Sequence, residues 1–215
     1  IEGIENKRPN LLDPSVIDER KYLLFPNDNA VTATLYQNTL YEDYIYKFLI
    51  QNEIQVEGTN IIDVGANNGQ ITVELAHLVG DMGKVISFEP QRIIFQQLCA
   101  NVFVNGLDNV YAFNLAIGNE NGLITIEKPN YFNEGPVNFG NVHVGVQDNY
   151  DFIEIKSLDT FDLDNVSVLK IDVQGYEKQV LLGAKETILK NKPIIFLEVE
   201  SDQLELYGEN DNSVF

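Results

Sequence analysis

Short apolar runs alternate with amphipathic stretches along most of this chain. Five runs of five or six residues are rich in β-branched side chains and predict buried strands, over residues 60–64, 84–88, 109–114, 166–171 and 194–199. Apolar residues at helical spacing predict helices over residues 40–51, 70–79, 90–105 and 176–190. This order predicts an α/β fold with a doubly wound, mostly parallel sheet and helices on both faces.

Two further runs, residues 122–126 and 152–156, alternate apolar and polar positions. A period of two predicts half-exposed strands, and we expect them to be antiparallel additions. About 25 residues without a clear period separate the two runs, and a loop of that length in a compact domain usually has a function. The proline-containing start predicts an irregular arm or cap, residues 1–39, before a main domain of residues 40–215.

Composition narrows the possible partners. Lys and Arg total 14 against 33 Asp and Glu, which gives a formal charge of -19 and argues against nucleic acid or an anionic membrane as a partner. The single cysteine excludes an internal disulfide, so a cytoplasmic, reducing setting fits best. Neither a signal peptide nor an apolar run of spanning length is visible, and the sequence carries no signal for the oligomeric state.

Polar residues follow each of the five predicted parallel strands. Ligands of doubly wound sheets bind outside the carboxyl ends of the strands, so these residues are the candidates for a site. Strand ends are also often exposed and polar for no functional reason, and this alternative stays open for each residue. In chain order the residues are Asp63, Glu89, Asn114, Asp172, Glu198 and Glu200.

The loop after the first strand distinguishes between cofactors. It reads Asp63-x-Gly65-x-Asn67-x-Gly69, without the third glycine of the dinucleotide fingerprint. An acid before the turn would repel a pyrophosphate but suits a ligand with an ammonium and a sulfonium. Glu89, 26 residues after Asp63, ends the next strand, where an acid accepts hydrogen bonds from ribose hydroxyls. S-adenosylmethionine therefore fits this loop better than NAD.

Three ordered motifs carry a resemblance to a known family. They are IDVGANNG at residues 62–69 with Thr72, SFEP at residues 87–90, and LKIDVQGYE at residues 169–177 with Gly183 and Ala184. Over about residues 60–200 the chain resembles the FkbM family of S-adenosylmethionine-dependent methyltransferases. The resemblance implies a class I methyltransferase, Rossmann-like fold.

The resemblance also implies roles for particular residues. It places Asp63, Gly65, Asn67 and Gly69 around the methionine part of the cofactor, Glu89 on the ribose, and Asn114 with Leu115 beside the adenine. The family mostly methylates hydroxyl oxygens, often on sugars or natural products, so the expected acceptor is a small molecule or a saccharide.

The chain departs from the family pattern in two places. Gln174 stands where many members carry glutamate, which removes a charge from the motif. The sequence also ends soon after the fifth strand, where this fold normally continues with an antiparallel hairpin, so we expect that C-terminal hairpin to be truncated.

A hydroxyl acceptor must lose its proton, which calls for a base near the transferred methyl group. Asp172 is the first candidate, although an Asp before a helix is also a good cap. Glu177 is the second, with a favourable helix-dipole interaction as the alternative. His143 in the long loop is the third, unless it is simply solvated. Glu42 is assigned to the ammonium group of the cofactor.

A metal site is an alternative to these roles. Asp172, Glu198 and Glu200 are possible oxygen ligands, but carboxylates at strand ends are common, and no metal is predicted. The sequence thus predicts an O-methyltransferase. Two alternatives remain: a non-catalytic module that keeps the cofactor fold and binds a glycan or a protein, and a nucleotide-dependent oxidoreductase, which the missing glycine disfavours.

Overall fold

The computed structural model describes residues 15–17, 19–25, 27–37, 39–41, 43–131, 136–145, 148–210 and 214. The strands are β1 Ser15–Ile17, β2 Arg20–Tyr22, β3 Asn60–Val64, β4 Lys84–Phe88, β5 Val110–Phe113, β6 Ala116–Ile117, β7 Gly122–Glu127, β8 Tyr150–Lys156, β9 Val166–Ile171 and β10 Ile194–Leu197. The α-helices are α1 Val31–Tyr36, α2 Asp43–Gln51, α3 Gln70–Val79, α4 Arg92–Val104, α5 Glu177–Gly183, α6 Lys185–Asn191 and α7 Ser201–Glu205.

The central sheet has five strands in the order β10-β9-β3-β4-β5, and every neighbouring pair is parallel. The chain first winds outward from β3 through β4 to β5, and later returns to the other side of β3 with β9 and β10. The predicted doubly wound α/β sheet is therefore confirmed. The direction of winding reverses between β3 and β9, so the crevice expected in such folds lies at the carboxyl ends of these two strands.

Two apolar layers cover the two faces of the sheet. Ile61, Val85 and Val168 point to one face, where they pack with residues of α2 and α3. Their sequence neighbours Ile62 and Leu169 point to the other face, which is covered by residues of α5 and of the turn before β9. Buried residues on both faces explain why the strands read as continuous apolar runs.

The two alternating runs form the predicted antiparallel pair, β7 with β8. They do not extend the central sheet, however, but build a separate three-stranded sheet in which β6 pairs with β8. The chain turns away from β5 at Asn114, whose side-chain amide donates hydrogen bonds to the carbonyl oxygens of Glu89 and Pro90 at 2.8 and 3.0 Å. This turn carries the following residues away from the sheet edge.

Three expected helices have other bounds in the structure. The first, expected over residues 40–51, is α2, Asp43–Gln51. The helix expected from Pro90 begins at Arg92, since Gln91 is extended and donates its backbone N–H to the carboxylate of Glu89. The helix expected over residues 176–190 is two helices, α5 and α6, which meet at Ala184. Gly183 lies so close to the next layer that a Cβ there would come within 1.8 Å of the Gly118 carbonyl oxygen.

The described part of the N-terminal arm packs against the main domain. Tyr22 and Leu24 are buried with Leu35 and Val73 in one apolar cluster. The boundary at residue 39 stays a prediction. Among the described helices, none is long and apolar enough to cross a membrane.

Candidate functional site

The crevice is built by the close approach of two loops, after β3 and after β9. Gly65 has a φ of +79°, and a Cβ at this position would lie 1.8 Å from the carbonyl oxygen of Asp172. The Asp172 backbone N–H also donates to the Val64 carbonyl at 3.0 Å. Only glycine fits at residue 65, because any side chain would separate the two loops.

Glu89 lies at the end of β4 and faces this crevice. Its two carboxylate oxygens accept hydrogen bonds from the backbone N–H groups of Asn67 at 2.9 Å and Gln91 at 2.7 Å. Burial raises the pKa of Glu89 to about 7, against the lowering effect of these hydrogen bonds and of Lys170. Each oxygen keeps a second lone pair, so the carboxylate can accept two more hydrogen bonds from a ligand.

A narrow cavity of about 50 Å³ lies against this carboxylate. It brings together five of the residues that the sequence singled out: Gly65, Asn67, Glu89, Leu115 and Asp172. Gly140, Val142 and Val144 of the long loop also line it. Two wider spaces adjoin it, a polar pocket of about 160 Å³ and a cleft of about 770 Å³.

Asp172 lines both the narrow cavity and the polar pocket. Its side chain is 15% exposed, and its Oδ2 lies 3.6 Å from the ammonium nitrogen of Lys170. The Oδ1 atom accepts a hydrogen bond from the side-chain amide of Gln174 at 3.0 Å. These two contacts orient the carboxylate and leave it able to accept a proton or a hydrogen bond from a group in either space.

The amide of Gln174 belongs to a short hydrogen-bonded chain. Its oxygen accepts from Gln203 Nε2 at 2.8 Å, and the same nitrogen donates to Glu200 at 2.6 Å. Gln203 lies on α7, and a Cβ on Gly175 would come within 2.5 Å of its carbonyl oxygen. Helix α7 therefore supports the loop that carries Asp172.

The polar pocket combines carboxylates and amides. Its carboxylates belong to Asp172, Glu198 and Glu200. Side-chain amides come from Asn67, Asn138, Asn141, Gln174 and Gln203. Among the described residues no Lys, Arg or His lines this pocket. Such a surface suits a neutral ligand with many hydroxyl groups.

Asp63 is placed beneath the crevice. It is fully buried, accepts a hydrogen bond from the Thr72 hydroxyl at 2.6 Å, and lies 3.4 Å from Lys170 Nζ. Lys170 also donates to the Gly65 carbonyl at 2.9 Å. Asp63 can thus act on the site through Lys170 and the glycine turn, and its direct contact with a cofactor stays a prediction.

Two other predicted cofactor residues, Asn114 and Gly69, have defined positions. Asn114 borders the wide cleft, beside Leu115 in the narrow cavity. Gly69, with a φ of +85°, caps the start of α3 and approaches Leu98 of α4. Glu42 lies outside the described residues.

Neither of the other two base candidates lines the cavities that Asp172 lines. His143 lines a fourth cavity, of about 510 Å³, and Val144 and Tyr176 form the partition between it and the narrow cavity. Glu177 is buried, and its Oε1 accepts the N–H groups of Val173 and Gly175. Burial raises the pKa of Glu177, an effect that hydrogen bonds from backbone N–H groups oppose. Glu177 thus stabilises the turn before α5.

Sequence reasoning missed several residues of the site, among them Gln91 and Gln203. Gln91 follows Glu89 and lines the narrow cavity, but nothing beyond its place after a candidate acid marked it. Gln203 lies on a five-residue helix that has no readable period. Within the described part of the chain, no three His, Cys, Asp or Glu side chains converge as a metal site.

Comparisons with known proteins agree with this architecture. A family model described as the methyltransferase FkbM domain matches residues 63–211. The crystal structure of the methyltransferase FkbM from Methylobacillus flagellatus KT superposes with a TM-score of 0.52 at 19% identity, over 84% of this chain and 48% of that one. This chain thus spans about half the length of that relative.

A second solved structure is more distant. The O-methyltransferase from Bacillus cereus, in complex with SAH, matches with a TM-score of 0.41 at 17% identity, over 76% of this chain and 63% of that one. Among curated proteins no match was found.

Proposed function

Since this chain belongs to the FkbM methyltransferase family, we propose that it transfers the methyl group of S-adenosylmethionine to a hydroxyl oxygen of a small molecule or saccharide. The observation that carries the proposal is the position of Asp172. Its carboxylate forms a common wall of the cavity at Glu89 and of the polar pocket. A base at that junction lies between a bound cofactor and an acceptor.

The donor set around the narrow cavity fits the cofactor. When ionised, Glu89 keeps a second lone pair on each oxygen and would accept hydrogen bonds from the two ribose hydroxyls. Leu115 would offer an apolar surface to the adenine, and the backbone around Gly65 would hold the methionine part. When bound, S-adenosylmethionine supplies an activated methyl group on its sulfonium, and the protein has to align the acceptor and exclude water.

The polar pocket is the proposed acceptor site. Its amides exchange hydrogen bonds with hydroxyl groups, and its carboxylates repel a phosphorylated or carboxylated acceptor. Asp172 accepts the proton of the reacting hydroxyl, while Lys170 and Gln174 hold its carboxylate in place.

We also propose that the protein acts in the cytoplasm, on a free small molecule. The net charge of -19 disfavours contact with nucleic acid and with anionic lipid surfaces.

Transfer of a labelled methyl group from S-adenosylmethionine to a panel of neutral monosaccharides and their methyl glycosides tests the function. We expect at least one acceptor to be labelled. Asp172→Asn should lower the rate by about 100-fold or more, in the range of general-base contributions. Asp162→Asn, at an exposed ion pair with Lys190, is the control and should keep the rate.

The binding of S-adenosylhomocysteine (SAH) separates this role from a structural one. Asp172→Asn should bind SAH with an affinity within about threefold of the wild type, since the variant keeps the shape of the side chain. Full activity of Asp172→Asn would contradict the assignment of the base, and transfer to an amine but not to any hydroxyl would contradict O-methylation.

A further inference from the structure

The loop of residues 136–145 forms part of the wall of the narrow cavity that Glu89 also lines. Gly140, Val142 and Val144 of this loop line the cavity. The volume of about 50 Å³ is far below the roughly 300–1,000 Å³ of sites for ligands of cofactor size. A ligand of cofactor size therefore fits the narrow cavity only when part of its wall moves, and this loop is part of that wall.

Backbone contacts hold both ends of the loop. Val137 exchanges hydrogen bonds with Asn27 and Asn29 of the N-terminal segment at 2.9 and 3.1 Å. At the other end the Val144 carbonyl accepts from the Tyr207 hydroxyl at 3.1 Å, and Gly145 N–H donates to the Thr125 carbonyl. The backbone N–H of Glu127 also donates to the His143 carbonyl at 2.9 Å, so movement is easiest in the middle, around residues 138–142.

The side chain of Gln91 forms a hydrogen bond to this middle part of the loop. Its Nε2 donates to the Phe139 carbonyl at 2.7 Å, and its Oε1 accepts from the Tyr131 hydroxyl at 3.1 Å. A carbonyl can only accept, which fixes the orientation of the amide. The residue is 6% exposed, so both hydrogen bonds are shielded from water.

Gln91 also contacts Glu89, through its backbone. The Gln91 backbone N–H donates to Glu89 Oε1 at 2.7 Å. One residue thus contacts the carboxylate proposed to bind the ribose and the loop that closes over it. The Phe139 ring, 1% exposed, adds an apolar contact where it packs edge-on against Phe25 at 5.4 Å.

We propose that Gln91 is a positioning residue for cofactor exchange: its side-chain amide holds loop 136–145 closed over the cofactor and releases it when the cofactor enters or leaves. The inference rests on the proposed function, because it takes S-adenosylmethionine as the occupant. In this proposal the hydrogen bond to Phe139 breaks while the cofactor passes and forms again once the loop has closed over it. Its loss should therefore speed entry and exit together and change the equilibrium affinity little.

Gln91→Met tests this, because it keeps the length of the side chain and the backbone N–H on Glu89 but removes the amide. Association and dissociation rate constants for SAH are measured by surface plasmon resonance on the immobilised full chain. We expect both to rise about tenfold, with an equilibrium constant within about threefold of the wild type. Melting temperatures are measured in parallel.

Gln97→Met is the matched control. Gln97 is also 6% exposed and also donates Nε2 to a backbone carbonyl at 2.7 Å, that of Leu23, away from the loop. Gln97→Met should lower the melting temperature by about as much as Gln91→Met does. It should keep the association and dissociation rate constants for SAH within twofold of the wild type. Phe139→Leu weakens the same closure from the loop side and should raise both rates, which keeps the test decisive if Gln91→Met folds poorly.

Three results would overturn the inference. If the wild type binds SAH and neither Gln91→Met nor Phe139→Leu changes the rate constants, this inference is refuted while the proposed function stands. An equal acceleration in Gln97→Met would refute it in the same way. A wild-type protein that binds no SAH would refute the proposed function and this inference with it.

Discussion

Glu89→Gln replaces a titrating side chain by one of the same shape that does not titrate. Burial raises the pKa of Glu89 from 4.5 to about 7, although the backbone N–H groups of Gln91 and Asn67 and the charge of Lys170 lower it. The folded protein therefore keeps a proton that the unfolded chain releases. The stability contributed by this proton is complete below about pH 4.5 and is lost as the pH rises through 7.

The expected magnitude follows from this shift. Between pH 5 and pH 8 the wild type should lose about 2 to 3 kcal/mol of unfolding free energy relative to Glu89→Gln. Urea denaturation of both proteins at pH 5, 6, 7 and 8 measures the difference. Other buried acids, such as Asp28 and Glu177, are present in both proteins and cancel.

We also expect a difference in unfolding free energy between the two proteins that does not depend on pH. The amide introduced by Glu89→Gln turns its NH₂ group toward a backbone donor and loses a hydrogen bond, at a cost of about 1 to 3 kcal/mol at every pH. Only the part of this difference that changes with pH tests the raised pKa of Glu89. A difference that stays flat from pH 5 to pH 8, or that grows in favour of the wild type as the pH rises, would refute the raised pKa of Glu89.

Two further substitutions check the geometry of the crevice. Gly65→Ala should destabilise the fold by roughly 3 kcal/mol or more, because its Cβ would meet the Asp172 carbonyl and its φ is positive; urea denaturation measures this, and a loss below about 1 kcal/mol would contradict the close approach. Glu177→Gln should keep methyl transfer within about threefold, since Oε1 still accepts from Val173 and Gly175; a hundredfold loss of rate with unchanged SAH affinity would restore Glu177 as a base candidate.

The central strands could be predicted from the sequence to the residue. The runs at residues 60–64, 84–88 and 166–171 are the observed β3, β4 and β9. Each is buried on both faces of the sheet, so its apolar run ends where the strand ends. Helix α3 also matches its prediction over residues 70–79, because Gly69 and Gly80 bound it.

Features that depend on tertiary contacts could be predicted less well from the sequence. The start of α4 depends on a hydrogen bond from Gln91 to Glu89, and the break between α5 and α6 on the packing of Gly183 against Gly118. Helix α7 has five residues, of which only Leu204 is buried, and so has no detectable period. The separation of β7 and β8 from the central sheet follows from the turn at Asn114.

The candidate site, too, could be predicted only in part from the sequence. Strand ends predicted that Gly65, Glu89 and Asp172 would meet, because carboxyl ends of parallel strands share one edge. The direction of a side chain was harder to predict: Asp63 points under α3 to Thr72. The path of the long loop, which takes His143 into another cavity, depends on contacts far away in the sequence.

A crystal structure of the protein with bound SAH would show how the cofactor lies in the crevice. We expect both ribose hydroxyls within hydrogen-bonding distance of the Glu89 carboxylate, the sulfur on the side of Asp172, and loop 136–145 closed over the ligand. SAH bound away from Glu89, or with its sulfur remote from Asp172, would contradict the account.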